Sequence, residues 1–299
     1  MASLKKAYSQ RRRGRWLITG LMLGIMLMAL VVTMVLIRRS KDDLPRSVRF
    51  DPDKCVRMLD VSRIYVIRRN PLDSGEVWFG TAEGIRVLDM HTVSWIRYGL
   101  DHGLRSETIA DIAFAGDTAW IATWDGISRF DRATKRFRTF GTVRGLGGTR
   151  ILSIAHVPRH GIFFYLDGKG LHRMTEADSV PERIEVPGLA NSARITSLIV
   201  QGGVLHIGAE QGRLFAYDPA NGSFAEAVFE RELSPKAFIW DVLWHAGRIY
   251  VATSNEGVWT TKSLSDTLRM MKDFPAKGAY VFAEEPDGMW CGTPFGLFR

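Results

Sequence analysis

Cysteine is nearly absent. The chain has two in 299 residues, Cys55 and Cys291, and neither belongs to a C-x-x-C pair. That excludes a disulfide scaffold, a cysteine-based zinc site and a thioredoxin-like redox motif. A G-x-S-x-G nucleophile elbow is missing as well, and no nucleophile-base-acid set can be assembled from the scattered histidines. The glycine-rich GLGGTR from Gly145 lacks the Lys-Ser/Thr of a phosphate loop and reads as an inter-blade turn. The acidic EEPDG from Glu284 lacks the D-x-[DN]-x-[DN]-G calcium pattern and reads as a solvated turn. His156 and His160 straddle VPR in a strand-turn region instead of sharing a helix face. The expectation is a protein without metal, cofactor or catalytic residues.

A large excess of one charge is also lacking over most of the chain. The formal net charge of +8 suggests nucleic acid until it is counted by region. Residues 1–50 carry eleven Lys and Arg against Asp42 and Asp43, while the remaining 249 residues hold 29 basic and 30 acidic side chains. The main domain is neutral, so no nucleic-acid partner is expected.

Between the basic clusters, Trp16 to Ile37 reads WLITGLMLGIMLMALVVTMVLI, 22 residues without a charge. As a helix it spans about 33 Å, one bilayer crossing. The run exceeds a signal-peptide core and ends in LIRRSKDD with no small-x-small cleavage site, which predicts an uncleaved signal anchor in contact with membrane lipid. Six basic residues precede it and five follow. This slight bias and the short leading tail predict a cytoplasmic tail (1–15), a transmembrane helix (16–37), a linker (38–46) and an extracytoplasmic domain (47–299), at the inner membrane with the domain in the periplasm. Gly20 and Gly24 form a GxxxG pair that would let two helices approach closely, but the pair alone does not establish a homodimer.

The domain itself is repetitive. VWFGTAEGIRVLD from Val77, AWIATWDGISRFD from Ala119, IFFYLDGKGLHRM from Ile162, LHIGAEQGRLFAYD from Leu205, IYVATSNEGVWTT from Ile249 and MWCGTPFGLFR from Met289 share one pattern. Trp78, Trp120, Phe163, His206, Tyr250 and Trp290 mark it at intervals of 42, 43, 43, 44 and 40 residues. A period near 43, built of short β-branched and aromatic runs, is one propeller blade of four strands. Gly84, Gly126, Gly170, Gly212, Gly257 and Gly296 fall in the turn after each second strand, where a positive φ excludes a Cβ. The fold class predicted is all-β: a six-bladed β-propeller of four-stranded antiparallel blades, preceded by one transmembrane helix.

These copies resemble the two-component regulator propeller repeat, I-x-x-I followed by W-x-G-T, G-[IL] and Y-D, from about residue 60 to 299. The likeness is sharpest at Trp78, Trp120 and Trp290, whereas Asp167 replaces the Thr in the third copy and His206 the Trp in the fourth. The resemblance implies an extracytoplasmic sensing or binding propeller, a role that such repeats usually play in hybrid histidine kinases. No kinase segment is legible in these 299 residues, so a signal would pass to a protein partner in the membrane or envelope. Two rival readings stay open: a structural, protein-docking subunit of an envelope complex, and a propeller lyase or quinoprotein-type enzyme.

Candidate ligand residues come from one repeat position. Just before the first Ile of each inner strand stand Arg63, Thr108, Arg150, Arg194, Phe238 and Ala279. Inner strands converge on the central channel, so the three arginines are expected to ring one mouth and attract an anionic small ligand. Asp111 and Asp241, two places beyond that Ile, are expected as their partners. Finally, the sixth copy offers only three strands. The segment SVRFDPDKCVRML, Ser47 to Leu59, alternates like a strand and is expected to complete blade six, leaving Cys55 and Cys291 as buried thiols instead of a disulfide.

Overall fold

The structure is a computed structural model that describes residues 63–132, 134–140, 150–175, 180–285 and 288–299. The tail, the 16–37 anchor, the linker and the 47–59 segment therefore lie outside the described residues. Among the described residues no helix is long and apolar enough to cross a membrane.

What is described is a six-bladed all-β propeller. Blade 1 holds β1 (Ile64–Asn70), β2 (Asp73–Thr81), β3 (Gly84–Asp89) and β4 (Ser94–Tyr98), and blade 2 holds β5 (Ile109–Ala115), β6 (Thr118–Thr123), β7 (Gly126–Asp131) and β8 (Arg136–Phe140). Blade 3 comprises β9 (Ile151–Val157), β10 (Gly161–Leu166), β11 (Gly170–Met174) and β12 (Glu182–Ile184). Blade 4 comprises β13 (Ile195–Gln201), β14 (Val204–Ala209), β15 (Leu214–Asp218) and β16 (Ser223–Glu226). Blade 5 follows with β17 (Ile239–His245), β18 (Arg248–Thr253), β19 (Val258–Thr261) and β20 (Arg269–Met270), and blade 6 shows β21 (Val281–Glu285), β22 (Gly288–Thr293) and β23 (Gly296–Phe298). Each sheet runs antiparallel in chain order, and the first strands of consecutive blades pack against one another from blade 1 to blade 6. Those first strands are the inner strands the repeat predicted.

The repeat motif has a local cause. The Thr that ends the second strand donates its hydroxyl to the carbonyl of the glycine opening the third, as Thr81 does to Gly84, Thr123 to Gly126 and Thr293 to Gly296, at 2.8–3.0 Å. It also accepts the amide two residues on, from Glu83, Asp125 and Phe295. One side chain thus satisfies both polar groups of a tight turn. The glycine has φ of +89° at Gly84, where a Cβ would lie 2.4 Å from the Tyr98 carbonyl oxygen. Register also corrects two alignments. Leu166, not Asp167, occupies the Thr place in blade 3, because it pairs with Ile151 as Thr123 pairs with Ile109. In blade 6 Ala279 takes the place of the buried isoleucines, since Phe282 pairs with Cys291 as Ile112 pairs with Ile121. The residue equivalent to the arginines there is Gly278.

The core is divided among the blade junctions. Five apolar clusters each join two consecutive blades, from blades 1 and 2 through blades 5 and 6. The marker aromatic points toward the next blade: Trp78 into the first cluster, Trp120 into the second, Phe163 into the third. Cys291 is buried in the fifth cluster and makes no disulfide among the described residues. Burial pushes its thiol up to about 12, which keeps it protonated and unreactive. Cys55 lies outside the described residues.

Sheets stacked this closely leave no room where a strand carries glycine at the junction. At Gly208 a Cβ would fall 2.3 Å from the Ser197 hydroxyl and 2.7 Å from the Ile239 carbonyl oxygen of blade 5. Gly208→Ala is expected to destabilise the domain by about 1–3 kcal/mol through overpacking, read as a lowered melting temperature. Gly202→Ala, in a turn with open space around it, meets no such clash and is strained only through its φ of +60°.

Candidate functional site

The three arginines do occupy one repeat position. The amide of a turn residue after the second strand donates to the backbone carbonyl of each: Ala82 to Arg63, Asp167 to Arg150 and Glu210 to Arg194, at 3.1, 3.0 and 2.9 Å. Thr108 and Phe238 accept the same bond from Trp124 and Ser254. The five positions therefore lie at the same end of their inner strands, beside the turns between second and third strands.

Their side chains are not equivalent. The guanidinium of Arg150 pairs with Asp167 and lies over the Trp124 ring, 5.6 Å from its centre, so its partner is a turn aspartate and not Asp111 or Asp241. Arg194 lies over Phe238 at 5.7 Å, and Arg63 over Tyr65 at 5.8 Å. Neither has a carboxylate partner among the described residues. Phe238 continues into Trp240, 5.7 Å between ring centres, and Trp240 into Tyr280 at 6.3 Å, an aromatic shelf across blades 5 and 6. Trp124 and Tyr280 are 45% and 46% exposed. The indole N–H of Trp240 is buried and has no acceptor among the described residues. This shelf escaped the sequence reading, although Tyr65, Trp240 and Tyr280 all take the second place of their inner strands.

The two aspartates do different work from that expected. Asp111 is buried and accepts the amide of Ile112 through Oδ1 and, from blade 3, the Ser153 hydroxyl and the Ile154 amide through Oδ2. Its cation is Arg68 of blade 1, 2.9 Å away, not one of the three mouth arginines. Arg68 also donates to the Ile112 carbonyl. Asp241 repeats the stitch one junction before the end, accepting Val242 through Oδ1 and Phe282 of blade 6 through Oδ2. Ser197 donates to the Ile239 carbonyl across the junction between blades 4 and 5. These side chains join blades, and their oxygens are filled by that task.

Burial pushes the Asp241 carboxyl up to about 6, against the opposing pull of its two amide donors and of Arg68. His206, standing where other blades place Trp or Phe, is pushed down to about 4 by burial, and its Nδ1 has no partner among the described residues. At the far end of the inner strands, His245 and Glu284 form an exposed pair at 3.0 Å between blades 5 and 6. Among the described residues no three His, Cys, Asp or Glu side chains gather as a metal site. A cleft of about 540 Å³ opens between Gln211–Arg213 and the loop carrying Phe229, Arg231 and Leu233. Its two arginines are already paired, Arg213 with Glu226 and Arg231 with Glu256.

No family model and no curated protein matches the chain. Solved structures do match. The fold is shared with extracellular domains of one-component and hybrid two-component systems. The extracellular domain of a Bacteroides thetaiotaomicron one-component system superposes with a TM-score of 0.65 at 21% identity, covering 79% of this chain and 32% of its own. A hybrid two-component system of the same organism gives 0.65 at 17% identity, covering 84% and 35%. Virginiamycin B lyase from Staphylococcus aureus gives 0.61 at 13% identity, with 76% of each chain covered. The chain thus spans about a third of the two Bacteroides extracellular domains, and identities this low establish the propeller fold alone.

The two shifted groups oppose each other in acid. Asp241 binds its proton more readily folded than unfolded, so acidification from pH 6 to about 4 stabilises the domain. His206 protonates first in the unfolded chain, so acidification from 6.5 to 4 destabilises it. Each contributes about 3 kcal/mol over its window. Asp241→Asn is expected to expose the histidine's acid sensitivity, and His206→Phe to leave stability rising as pH falls. Melting temperatures at pH 7 and 4.5 should separate the variants by about 8 °C or more. Parallel profiles would contradict this assignment.

Proposed function

We propose that the chain is a single-pass membrane protein whose propeller lies outside the cytoplasm and senses a small ligand at the arginine-aromatic mouth. The anchor reading rests on the uncharged 22-residue stretch, and the address draws support from neighbours described as extracellular domains of one-component and hybrid two-component systems. The observation that carries the site is the shelf of Phe238, Trp240 and Tyr280 beside Arg194, with a buried indole N–H that lacks an acceptor. A buried donor without a partner costs about 1–3 kcal/mol, a cost that a ligand oxygen would relieve. Apolar ring surface with a guanidinium group beside it suits a ligand that has an apolar body and one anionic group. Arg150, held by Asp167, braces the rim. A bound state would be read by a separate membrane or envelope protein.

Two measurements test this. Protease added to intact spheroplasts should digest the propeller, and protection until lysis would reverse the topology. Tryptophan fluorescence of the detergent-solubilised chain should respond to benzoate more than to succinate or inorganic phosphate. Arg63→Ala/Arg194→Ala is expected to weaken that response at least tenfold, and Arg150→Ala to weaken it less. A folded double variant that retains full affinity would remove the arginines from the site.

A further inference from the structure

Rings and guanidinium groups come together at the mouth. Arg63 lies over Tyr65, Arg150 over Trp124 and Arg194 over Phe238. Trp240 and Tyr280 break this rule, since neither ring carries a cation over it among the described residues. The repeat supplies the cause. Tyr280 stands in blade 6 where Tyr65 stands in blade 1, but two places before it is Gly278 in the position of Arg63. A Cβ there would lie 2.7 Å from the Ser254 carbonyl oxygen, so the place takes no side chain without a shift of backbone.

A carboxylate beside these rings also goes without a cation. Asp241 follows Trp240 in β17 and accepts the amide of Phe282, two residues beyond Tyr280. Its charge therefore lies between the same two strands as the ring pair. Asp111 makes the equivalent two amide bonds and adds the Arg68 guanidinium and the Ser153 hydroxyl. Register explains the difference. Arg68 pairs with Trp78 as Ile199 pairs with His206, so the blade before Asp241 offers Ile199 where the blade before Asp111 offers Arg68. On the following blade, Val281 takes the place of Ser153. Arg68 acts on Asp241 only through space, because its own bonds go to Asp111 and to the Ile67 and Ile112 carbonyls. Burial holds the Asp241 carboxyl at about 6, so it is charged at pH 7.5.

Two ring faces and one negative charge thus lack a cation at one place. Trp240 and Tyr280 meet edge to face, 78° between their planes, and so form a corner with two π-faces. Tyr280 and Val281 are both exposed, which opens the corner to solvent. Both Asp241 oxygens already accept amides, so a cation rich in donors gains little there. A quaternary ammonium group has no donor to satisfy and is attracted by π-faces and by the charge alone.

We propose, resting on the mouth as the ligand site, that its ligand is a zwitterion, with a carboxylate at Arg194 and a quaternary ammonium group in the corner of Trp240 and Tyr280 beside Asp241. Phe238, under Arg194, and Asp241 are three residues apart on an extended strand, about 10 Å. A short apolar chain between the two charges spans that distance.

Tryptophan fluorescence of the detergent-solubilised chain at pH 7.5 tests this with two carboxylates of one shape. One is 4-(trimethylammonio)butanoate, and the other is 5,5-dimethylhexanoate, with carbon in place of the charged nitrogen. The cationic compound is expected to bind about tenfold tighter or better. Asp241→Asn and Tyr280→Leu should each bring that ratio toward one, with melting curves to show that the variant is folded. Tyr280 is exposed, so its variant folds even where Asp241→Asn loosens the junction. Equal wild-type affinities, with benzoate still sensed, would overturn the zwitterion and leave the anion site standing. A ratio undiminished in either folded variant would overturn it as well. If benzoate and both carboxylates go unsensed, the mouth is not the ligand site and the zwitterion falls with it.

Discussion

Everything in this domain depends on one sheet being buried by the next. A four-stranded antiparallel sheet of short strands has two faces and cannot shield either alone. Each blade therefore offers one face to its predecessor and the other to its successor, and each apolar cluster is shared by two sheets. This explains why the marker aromatic is large and why the residue two places after it, on the same face of the strand, is often glycine or alanine. Trp78 and Trp120 reach across to the neighbour, while Gly80 and Ala122 let the neighbour's inner isoleucine come close.

Burial of this kind is not directional, so a second device sets the angle between blades. The third residue of the inner strand supplies it: Asp111 and Asp241 each take their own next amide with one oxygen and the following blade's amide with the other. For Asp111 the buried charge is met by Arg68. Asp241 has no direct cation among the described residues, and burial raises its carboxyl. The work of these groups is structural.

A ring has a requirement that an open stack lacks: its first and last sheets must also cover each other. The exposed Ile64 and Ile67, the half-buried Trp290 and the unpaired edge of β23 all concern that one junction.

The sequence by itself determined the blade count and the glycine turns, because these follow from local chemistry repeated every 43 residues or so. It also placed Arg63, Arg150 and Arg194 at equivalent positions, since a repeat position is a structural coordinate. Only the tertiary structure decided what those positions do. Arg150 is held by an aspartate from its own blade's turn, Arg194 by an aromatic from the next blade, and Asp111 by an arginine from the previous one. Such partners stand up to about 44 residues apart, and no local pattern records them: a period fixes where a side chain starts, and packing between blades fixes where it ends.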